Sequence, residues 1–237
     1  MTDHNPIIVA LDVESAAEAR TLVTRIGPQV NLYKVGLELF TAAGMDFVRE
    51  LTGLGKDVFL DLKYYDISET VKRAVAQVAR SGVRFLTVHA NAAVMRAAVE
   101  GRGASPLKLL GVTVLTSFDQ QDLTDFGYQR RVPELVELLA RKAMESRMDG
   151  VVVSPLEARS ARAVTGPNAI LVTPGVRSPG AAKGDQKRVA TPADAIRDGA
   201  DYVVIGRQIT RSADPASTVR QILDEIRPEL VETASRL

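Results

Sequence analysis

The chain has 237 residues, of which 46% are hydrophobic and 25% are charged, the balance of a globular protein that can bury a sizeable core. Its 30 Lys and Arg residues are almost matched by 29 Asp and Glu residues, so net charge gives no reason to expect nucleic acid or a membrane surface as a partner. The chain has no cysteine and two histidines, which excludes disulfides, thiolate chemistry and a multi-histidine metal site.

The amino terminus enters a strand-like apolar run at once and lacks the basic and then apolar pattern of a secretory signal. No apolar stretch approaches the roughly 18 residues that suggest a membrane-spanning helix. We therefore expect a cytoplasmic protein without membrane association, in which any divalent metal ion would need oxygen ligands.

Eight short runs rich in β-branched residues recur along the chain, each followed by a longer amphipathic stretch. Their near-continuous apolar character is typical of parallel strands that are covered on both faces. A capping side chain precedes proline at Ser154-Pro155, Thr191-Pro192 and Asp214-Pro215, a pattern that predicts helix starts. The predicted strands are Ile7–Val13, Leu32–Leu39, Asp57–Lys63, Phe85–Ala90, Lys108–Leu115, Gly150–Ser154, Ala169–Gly175 and Tyr202–Gly206.

The alternation of strands and helices, at intervals of roughly 25 residues, predicts βα units, and eight such units predict a closed TIM (β/α)8 barrel. The alternative α/β architecture, a doubly wound open sheet, should carry a glycine-rich turn after an early strand, and residues 11–15 contain no glycine. No linker interrupts the pattern, so we expect one domain over residues 1–237. In such barrels the chemistry lies at the carboxyl ends of the strands.

Charged side chains interrupt the second and third apolar strands. Asp61 and Lys63 are two residues apart, so both leave the same face of their strand; Lys34 lies in the adjacent strand, and Asp66 lies in the loop that follows. Taken singly, each residue is as well explained by a salt bridge at a strand end. Because buried charge is costly unless it is paired, we interpret the four as one alternating charge array. Its carboxylates favour the charged form of Lys63, which can then act as a general acid.

Two later segments have the composition of an anion site. Residues 175–190 follow the seventh strand without clear secondary structure and carry Arg177 and Gln186 among glycines; a solvated loop and a lid that closes on an anion are both open. Gly206 and Arg207 follow the eighth strand, where backbone N–H groups and a guanidinium suit phosphate. Asp12, at the end of the first strand, can accept hydrogen bonds from sugar hydroxyls, and a helix-entry role is equally open.

Seven segments occur along the chain in this order: ALDV, YKVGLELF, DLKYYDISETV, VTVLTS, TPGVR, GDQKR and YVVIGR. Together they resemble the orotidine 5′-phosphate decarboxylase family, from about Ile7 to Pro215, and the DLKxxDI segment is the most specific of them. The resemblance implies the decarboxylation of orotidine 5′-monophosphate to uridine 5′-monophosphate and CO2, in pyrimidine biosynthesis, without a cofactor or a metal ion. It also implies a homodimer with shared active sites.

The resemblance also assigns site residues by position. Lys63 matches the proton donor to C6 of the pyrimidine, and Asp61 matches the carboxylate beside the substrate's own carboxylate. Asp12 and Lys34 match the pair that contacts ribose. Asp66 and Thr70 match residues that reach into the neighbouring subunit's site. The other matches are Thr116 at the substrate, Ser154 at the pyrimidine, Gln186 at the pyrimidine and phosphate, and Arg177, Gly206 and Arg207 at the phosphate.

The chain departs from the family pattern at Ser68-Glu69, where the family often has Pro-Asn, and at Tyr65, where it often has His. Two alternative functions stay open. One is a metal-dependent relative, either 3-keto-gulonate 6-phosphate decarboxylase or hexulose-phosphate synthase, which acts through an enediolate; the long loop at residues 175–190 argues against it. The other is a barrel that binds a nucleotide without catalysis.

Overall fold

The structure, a computed structural model, describes residues 5–180 and 190–235, the last four by their backbone alone. Within these ranges, eight parallel strands close into a barrel in the order of the sequence, and the last strand pairs with the first. The predicted TIM (β/α)8 barrel is confirmed and the doubly wound sheet is excluded. The strands are β1 (Ile7–Ala10), β2 (Leu32–Gly36), β3 (Asp57–Tyr64), β4 (Phe85–His89), β5 (Lys108–Val112), β6 (Gly150–Val152), β7 (Ile170–Pro174) and β8 (Tyr202–Ile205).

The helices pack against the outer face of the barrel. They are α1 (Ala16–Ile26), α2 (Leu37–Gly53), α3 (Ser68–Val78), α4 (Ala92–Arg102), α5 (Gln120–Asp125), α6 (Val132–Glu145), α7 (Ala158–Thr165), α8 (Pro192–Arg197), α9 (Arg207–Thr210) and α10 (Pro215–Ser235), with 3-10 turns at Gly27–Gln29 and Pro155–Glu157. The predicted starts at Thr191-Pro192 and Asp214-Pro215 open α-helices, whereas Ser154-Pro155 opens a 3-10 turn that leads into α7. At Thr191 the hydroxyl accepts the N–H of Asp194 at 3.0 Å. None of the described helices combines the length and apolarity that crossing a membrane requires.

Alternation along the strands divides the apolar side chains into two cores. One set of strand residues packs against the helices, and the other points into the barrel, where it forms a second cluster. This inner apolar plug consists of Ile8, Ala10, Leu32, Phe59, Phe85, Leu110, Val112, Val152, Val172, Tyr202 and Val204. Phe85 contacts both Phe59 and Tyr202 edge-on, with ring centroids 6.0 and 5.3 Å apart. The barrel interior is therefore filled by side chains, and it leaves no central pore.

At the amino ends of the strands, aspartates tie neighbouring strands together. Asp149 precedes β6, and its carboxylate accepts the N–H of Leu109 in β5 at 2.9 Å. Asp201 precedes β8, and its carboxylate accepts the N–H of Leu171 in β7 at 2.7 Å and bonds Arg162 at 2.7 Å. These contacts satisfy backbone donors at the edge where strand pairing begins. The aspartates at the amino end of the barrel therefore stabilise the pairing of neighbouring strands.

Several strands are shorter than predicted, and β2 shows why. The prediction extends it to Leu39, but α2 begins at Leu37. Leu39 is fully buried because it faces the core from the helix, so the apolar run of the sequence continues after the strand has ended. Apolar runs alone do not mark the junction between a buried strand and a buried helix face.

Helices α3 and α4 approach each other closely at Gly101. A Cβ atom at Gly101 would lie 2.2 Å from the carbonyl oxygen of Lys72 in α3, which two non-bonded atoms cannot tolerate. Gly53, at the end of α2, has open space instead, since a Cβ there would meet nothing within 4 Å. The two helical glycines form a matched pair that differ in what surrounds them.

We expect Gly101→Ala to lower the free energy of unfolding by about 2 kcal/mol, because the added methyl group must push α3 away from α4. Gly53→Ala should instead raise it by roughly 0.5 kcal/mol, because alanine favours the helix. Urea denaturation followed by circular dichroism measures both changes. Equal stability of the two variants would contradict the close approach of the helices.

Candidate active site

A cavity of about 410 Å3 opens at the carboxyl ends of the strands. Part of its lining is apolar and belongs to the inner plug, including Phe59 and Val204. The polar part consists of Asp12, Lys34, Glu38, Asp61, Lys63, Thr116, Arg177, Arg207, Thr210 and Arg211. The cavity therefore combines an apolar floor with a charged rim, as expected of a ligand site at this end of a barrel.

Most of the predicted site residues meet in this cavity: Asp12, Lys34, Asp61, Lys63, Thr116, Arg177, Gly206 and Arg207. Three others do not line it. Asp66 and Thr70 are exposed near the start of α3, and Ser154 is fully buried, where its hydroxyl accepts the N–H of Leu156 at 3.3 Å. Gln186 lies outside the described residues. Glu38, Thr210 and Arg211 line the cavity in addition to the predicted set.

Four charged side chains form a continuous chain of ion pairs. The Lys34 ammonium lies 2.6 Å from Asp12 and 3.8 Å from Asp61. The Lys63 ammonium lies 2.9 Å from each carboxylate oxygen of Asp61. Two positive and two negative groups thus compensate one another, which is the condition for holding charge above an apolar floor. Within the described part of this one chain, Asp66 forms no ion pair with the other members of the predicted array.

The Asp61 carboxylate keeps its charge although its side chain is only 13% exposed. Burial by itself raises the pKa of Asp61, but the ammonium groups of Lys34 and Lys63, with hydrogen bonds from Lys63 and Thr87, outweigh burial and hold the pKa below its usual 3.8. Asp61 therefore presents a fixed negative charge to whatever enters the cavity.

Strand β3 is irregular where it carries Lys63. Its register with β4 shifts between Leu60 and Tyr64, and Lys63 has a φ angle of 50°. This left-handed conformation costs a residue with a Cβ atom roughly 1 kcal/mol. Strain of this kind persists only where the surrounding structure enforces it, and it clusters at functional sites.

Two further residues belong to the site without standing out in the sequence. Thr87 in β4 is fully buried, and its hydroxyl donates to Asp61 at 3.0 Å. Gly36 follows Lys34 by two positions in β2, and a Cβ atom there would lie 2.8 Å from the Lys34 ammonium and 3.0 Å from Asp12. The missing side chain at Gly36 therefore leaves room for that ion pair. Both residues face the barrel interior, so the two-residue alternation of the strands is the signal that identifies them.

Comparisons with known proteins find one family by sequence and by structure. The profile of the family described as orotidine 5′-phosphate decarboxylase / HUMPS matches residues 5–222. An orotidine 5′-phosphate decarboxylase of Rhodopseudomonas palustris is 50% identical over 220 residues, which cover 93% of this chain and 94% of that protein. Its namesake in Nitrobacter winogradskyi is 50% identical over 227 residues, covering 94% and 95%. The crystal structure of orotidine 5′-phosphate decarboxylase from Lactobacillus acidophilus matches with a TM-score of 0.83 at 35% identity, covering 93% of this chain and 98% of that one.

We expect Asp61→Asn to be less stable than the wild type at neutral pH, by about 3 kcal/mol, because two ammonium groups lose the carboxylate that they share. A carboxylate whose pKa is lowered by folding stabilises the folded state above its unfolded pKa, and this contribution is lost as pH falls through the folded pKa. The difference in stability between the two proteins should therefore shrink below pH 3.8, the usual pKa of this side chain.

Urea unfolding of both proteins, at a series of values from about pH 7 down to about pH 2, measures this difference. Asp46→Asn is the control for the loss of a negative charge, because the side chain of Asp46 is 94% exposed. If the difference in stability between the wild type and Asp61→Asn stays constant over the whole acid range, folding does not lower the pKa of Asp61.

Proposed function

The chain belongs to the orotidine 5′-phosphate decarboxylase / HUMPS family, and on that basis we propose that it converts orotidine 5′-monophosphate to uridine 5′-monophosphate and CO2 in pyrimidine biosynthesis. The observation that carries the proposal is the ion pair at the mouth of the barrel, in which the Lys63 ammonium lies 2.9 Å from both oxygens of Asp61. It supplies a fixed negative charge and a proton donor side by side. The names of the relatives supply the substrate.

In the proposed reaction, the carboxylate of the substrate lies against Asp61, and C6 of its pyrimidine faces Lys63. The bond between C6 and the carboxylate carbon breaks, CO2 leaves, and the electron pair stays on C6. Negative charge thus moves away from Asp61 and toward the Lys63 ammonium. The site therefore favours the transition state over the bound substrate, which is the requirement for catalysis. A proton then passes from Nζ of Lys63 to C6, and solvent returns a proton to Lys63.

The same proposal assigns binding residues to the ribose, the pyrimidine and the phosphate of the substrate. Asp12 and Lys34 bind the ribose hydroxyls, and Thr116 contacts the substrate. Ser154, which does not line the cavity, is assigned to the pyrimidine by the family resemblance alone. Phosphate binds to Arg177, Gly206 and Arg207, with Gln186, which lies outside the described residues, reaching both the pyrimidine and the phosphate. The phosphate assignment is supported by the position of its two arginines, which line one cavity after β7 and β8. Barrels of this class often hold phosphate there, and a guanidinium binds it with two parallel hydrogen bonds.

A metal-dependent sugar-phosphate reaction is the alternative within the same family. The carboxylates of Asp12 and Asp61 both contact ammonium groups, so a divalent cation bound to them would lie beside two positive charges. Such a cation favours several oxygen ligands that are free to bind it. Among the described residues, no group of three or more His, Asp and Glu side chains could hold a metal ion. The donor set therefore favours chemistry by Lys63.

We further propose a homodimer in which Asp66 and Thr70 of each subunit complete the site of the other. Both residues are exposed, and they lie beside Tyr65 and Ile67, which are 65% and 72% exposed. An apolar cavity of about 490 Å3 opens next to the active site and includes Tyr65 in its lining. Exposed apolar side chains around a polar site are typical of a surface that another chain covers. The cytoplasmic location expected from the sequence stays a prediction.

We expect EDTA-treated protein to consume orotidine 5′-monophosphate, and Lys63→Ala to do so at least roughly 10³-fold more slowly, because it lacks the proton donor and the cation beside C6. Loss of pyrimidine absorbance measures the rate. Lys108→Ala is the matched control, since this lysine pairs with Asp149 at the opposite end of the barrel and its loss should leave the rate unchanged.

The other outcomes separate the alternatives. Activity that disappears with EDTA and returns with a divalent cation would favour the metal-dependent reaction. Nucleotide binding without turnover, in wild type and variant alike, would favour a barrel that only binds. Wild-type turnover by Lys63→Ala would remove Lys63 from the mechanism.

Mixing two inactive variants tests the shared site. When Lys63→Ala and Asp66→Asn subunits are allowed to exchange, half of the dimers are hybrids with one intact site each, so we expect about a quarter of wild-type activity to return. Lys63→Ala mixed with Asp61→Asn should regain none, because both residues belong to the same side of the site. The absence of recovery in the first mixture would mean that Asp66 does not act across the dimer.

A further inference from the structure

Thr87 occupies an unusual place for a hydroxyl group. It lies in β4 on the face that points into the barrel, two residues after the plug residue Phe85, and it is fully buried. Its partner in β5 is Leu110, another plug residue. A hydroxyl among apolar side chains is costly unless its donor and acceptor capacities are both used.

Both capacities are used, and by the two residues of the central ion pair. The Thr87 hydroxyl donates to Oδ1 of Asp61 at 3.0 Å and accepts the backbone N–H of Lys63 at 2.9 Å. Thr87 is not among the residues that line the active-site cavity. Among the described residues, its hydroxyl connects to the site through Asp61 and Lys63.

The irregular register of β3 explains why the hydroxyl is needed. Between the pairs Leu60–Leu86 and Tyr64–Val88, strand β3 has three residues while β4 has only Thr87. An ordinary strand ladder cannot supply a backbone partner for every residue in such a bulge. The Thr87 hydroxyl accepts the N–H of Lys63 in place of a partner in the strand ladder. It does so at the residue where the backbone is left-handed.

We propose that Thr87 is a positioning residue for the decarboxylation assigned above, on which this inference rests. Its hydroxyl fixes the orientation of the Asp61 carboxylate and the backbone of Lys63 together. The Lys63 ammonium is thereby held at equal distances from both Asp61 oxygens, and the charge and the proton donor keep a constant relation to C6. One group thus aligns both halves of the ion pair.

Two substitutions separate positioning from packing. Thr87→Val keeps the volume of the side chain and removes both hydrogen bonds, whereas Thr87→Ser keeps the hydroxyl and removes a buried methyl group. Thr173→Val is the control, because Thr173 is also fully buried in a strand but donates to the backbone carbonyl of Tyr202, at 3.3 Å. Steady-state rates with orotidine 5′-monophosphate and urea unfolding are measured for all of them.

We expect Thr87→Val to lower kcat by about 100-fold, because a misplacement of the order of an ångström has that effect on catalysis. KM should change far less, since Thr87 does not line the cavity. Thr87→Ser should restore most of kcat although it is the variant that loses buried volume, and Thr173→Val should turn over like the wild type. Should Thr87→Val fail to fold, Thr87→Ala removes the same two hydrogen bonds and takes its place beside Thr87→Ser.

The positioning role is overturned if Thr87→Val turns over like the wild type, or if valine and serine lower kcat equally, which would indicate packing. In both cases an active wild type leaves the proposed function intact. A wild type that does not consume orotidine 5′-monophosphate would overturn the proposed function, and this inference with it.

Discussion

The carboxyl end of the barrel depends on one balance of charge. The Asp61 carboxylate lies between the ammonium groups of Lys34 and Lys63, above an interior that is otherwise filled by apolar side chains. Each of these charges would be costly to hold above that interior without an opposite charge beside it. Together they are compensated, and a ligand that brings its own charges must enter into the same balance. The site is thus sensitive to where charge lies in the molecule that it binds.

This balance requires accurate placement, which the barrel provides through the alternation of its strands. Inward-facing positions of neighbouring strands lie side by side, so Lys34 in β2 and Asp61 in β3 meet without any loop being involved. The same alternation supplies the apolar floor beneath them. At the amino end, Asp149 and Asp201 bond backbone groups of adjacent strands. One barrel therefore carries aspartates with opposite tasks at its two ends.

Much of this could be read from the sequence, and the failures have physical causes. Strand order and inward-facing positions predict the cluster around Asp61 because a parallel barrel allows one arrangement for them. The contact of Thr87 with Asp61 and Lys63 depends on a bulge in β3. No residue type in that strand predicts the change of register. The predicted end of β2 lies three residues beyond the observed one, at Leu39 instead of Gly36, because strand and helix share one apolar run. In the proposed homodimer, the surroundings of Asp66 depend on a second chain, which a single sequence does not contain.

The φ angle of Lys63 has a consequence for attempts to make the protein more robust. Its left-handed backbone is a conformation that glycine adopts readily. A search for stabilising substitutions that relieve backbone strain would therefore select position 63 among the first. Replacing Lys63 by glycine would stabilise the folded chain, but it would remove the ammonium group on which the proposed chemistry depends. At this position, thermal robustness and turnover select for different amino acids, so a stabilised version of this barrel has to gain its robustness elsewhere.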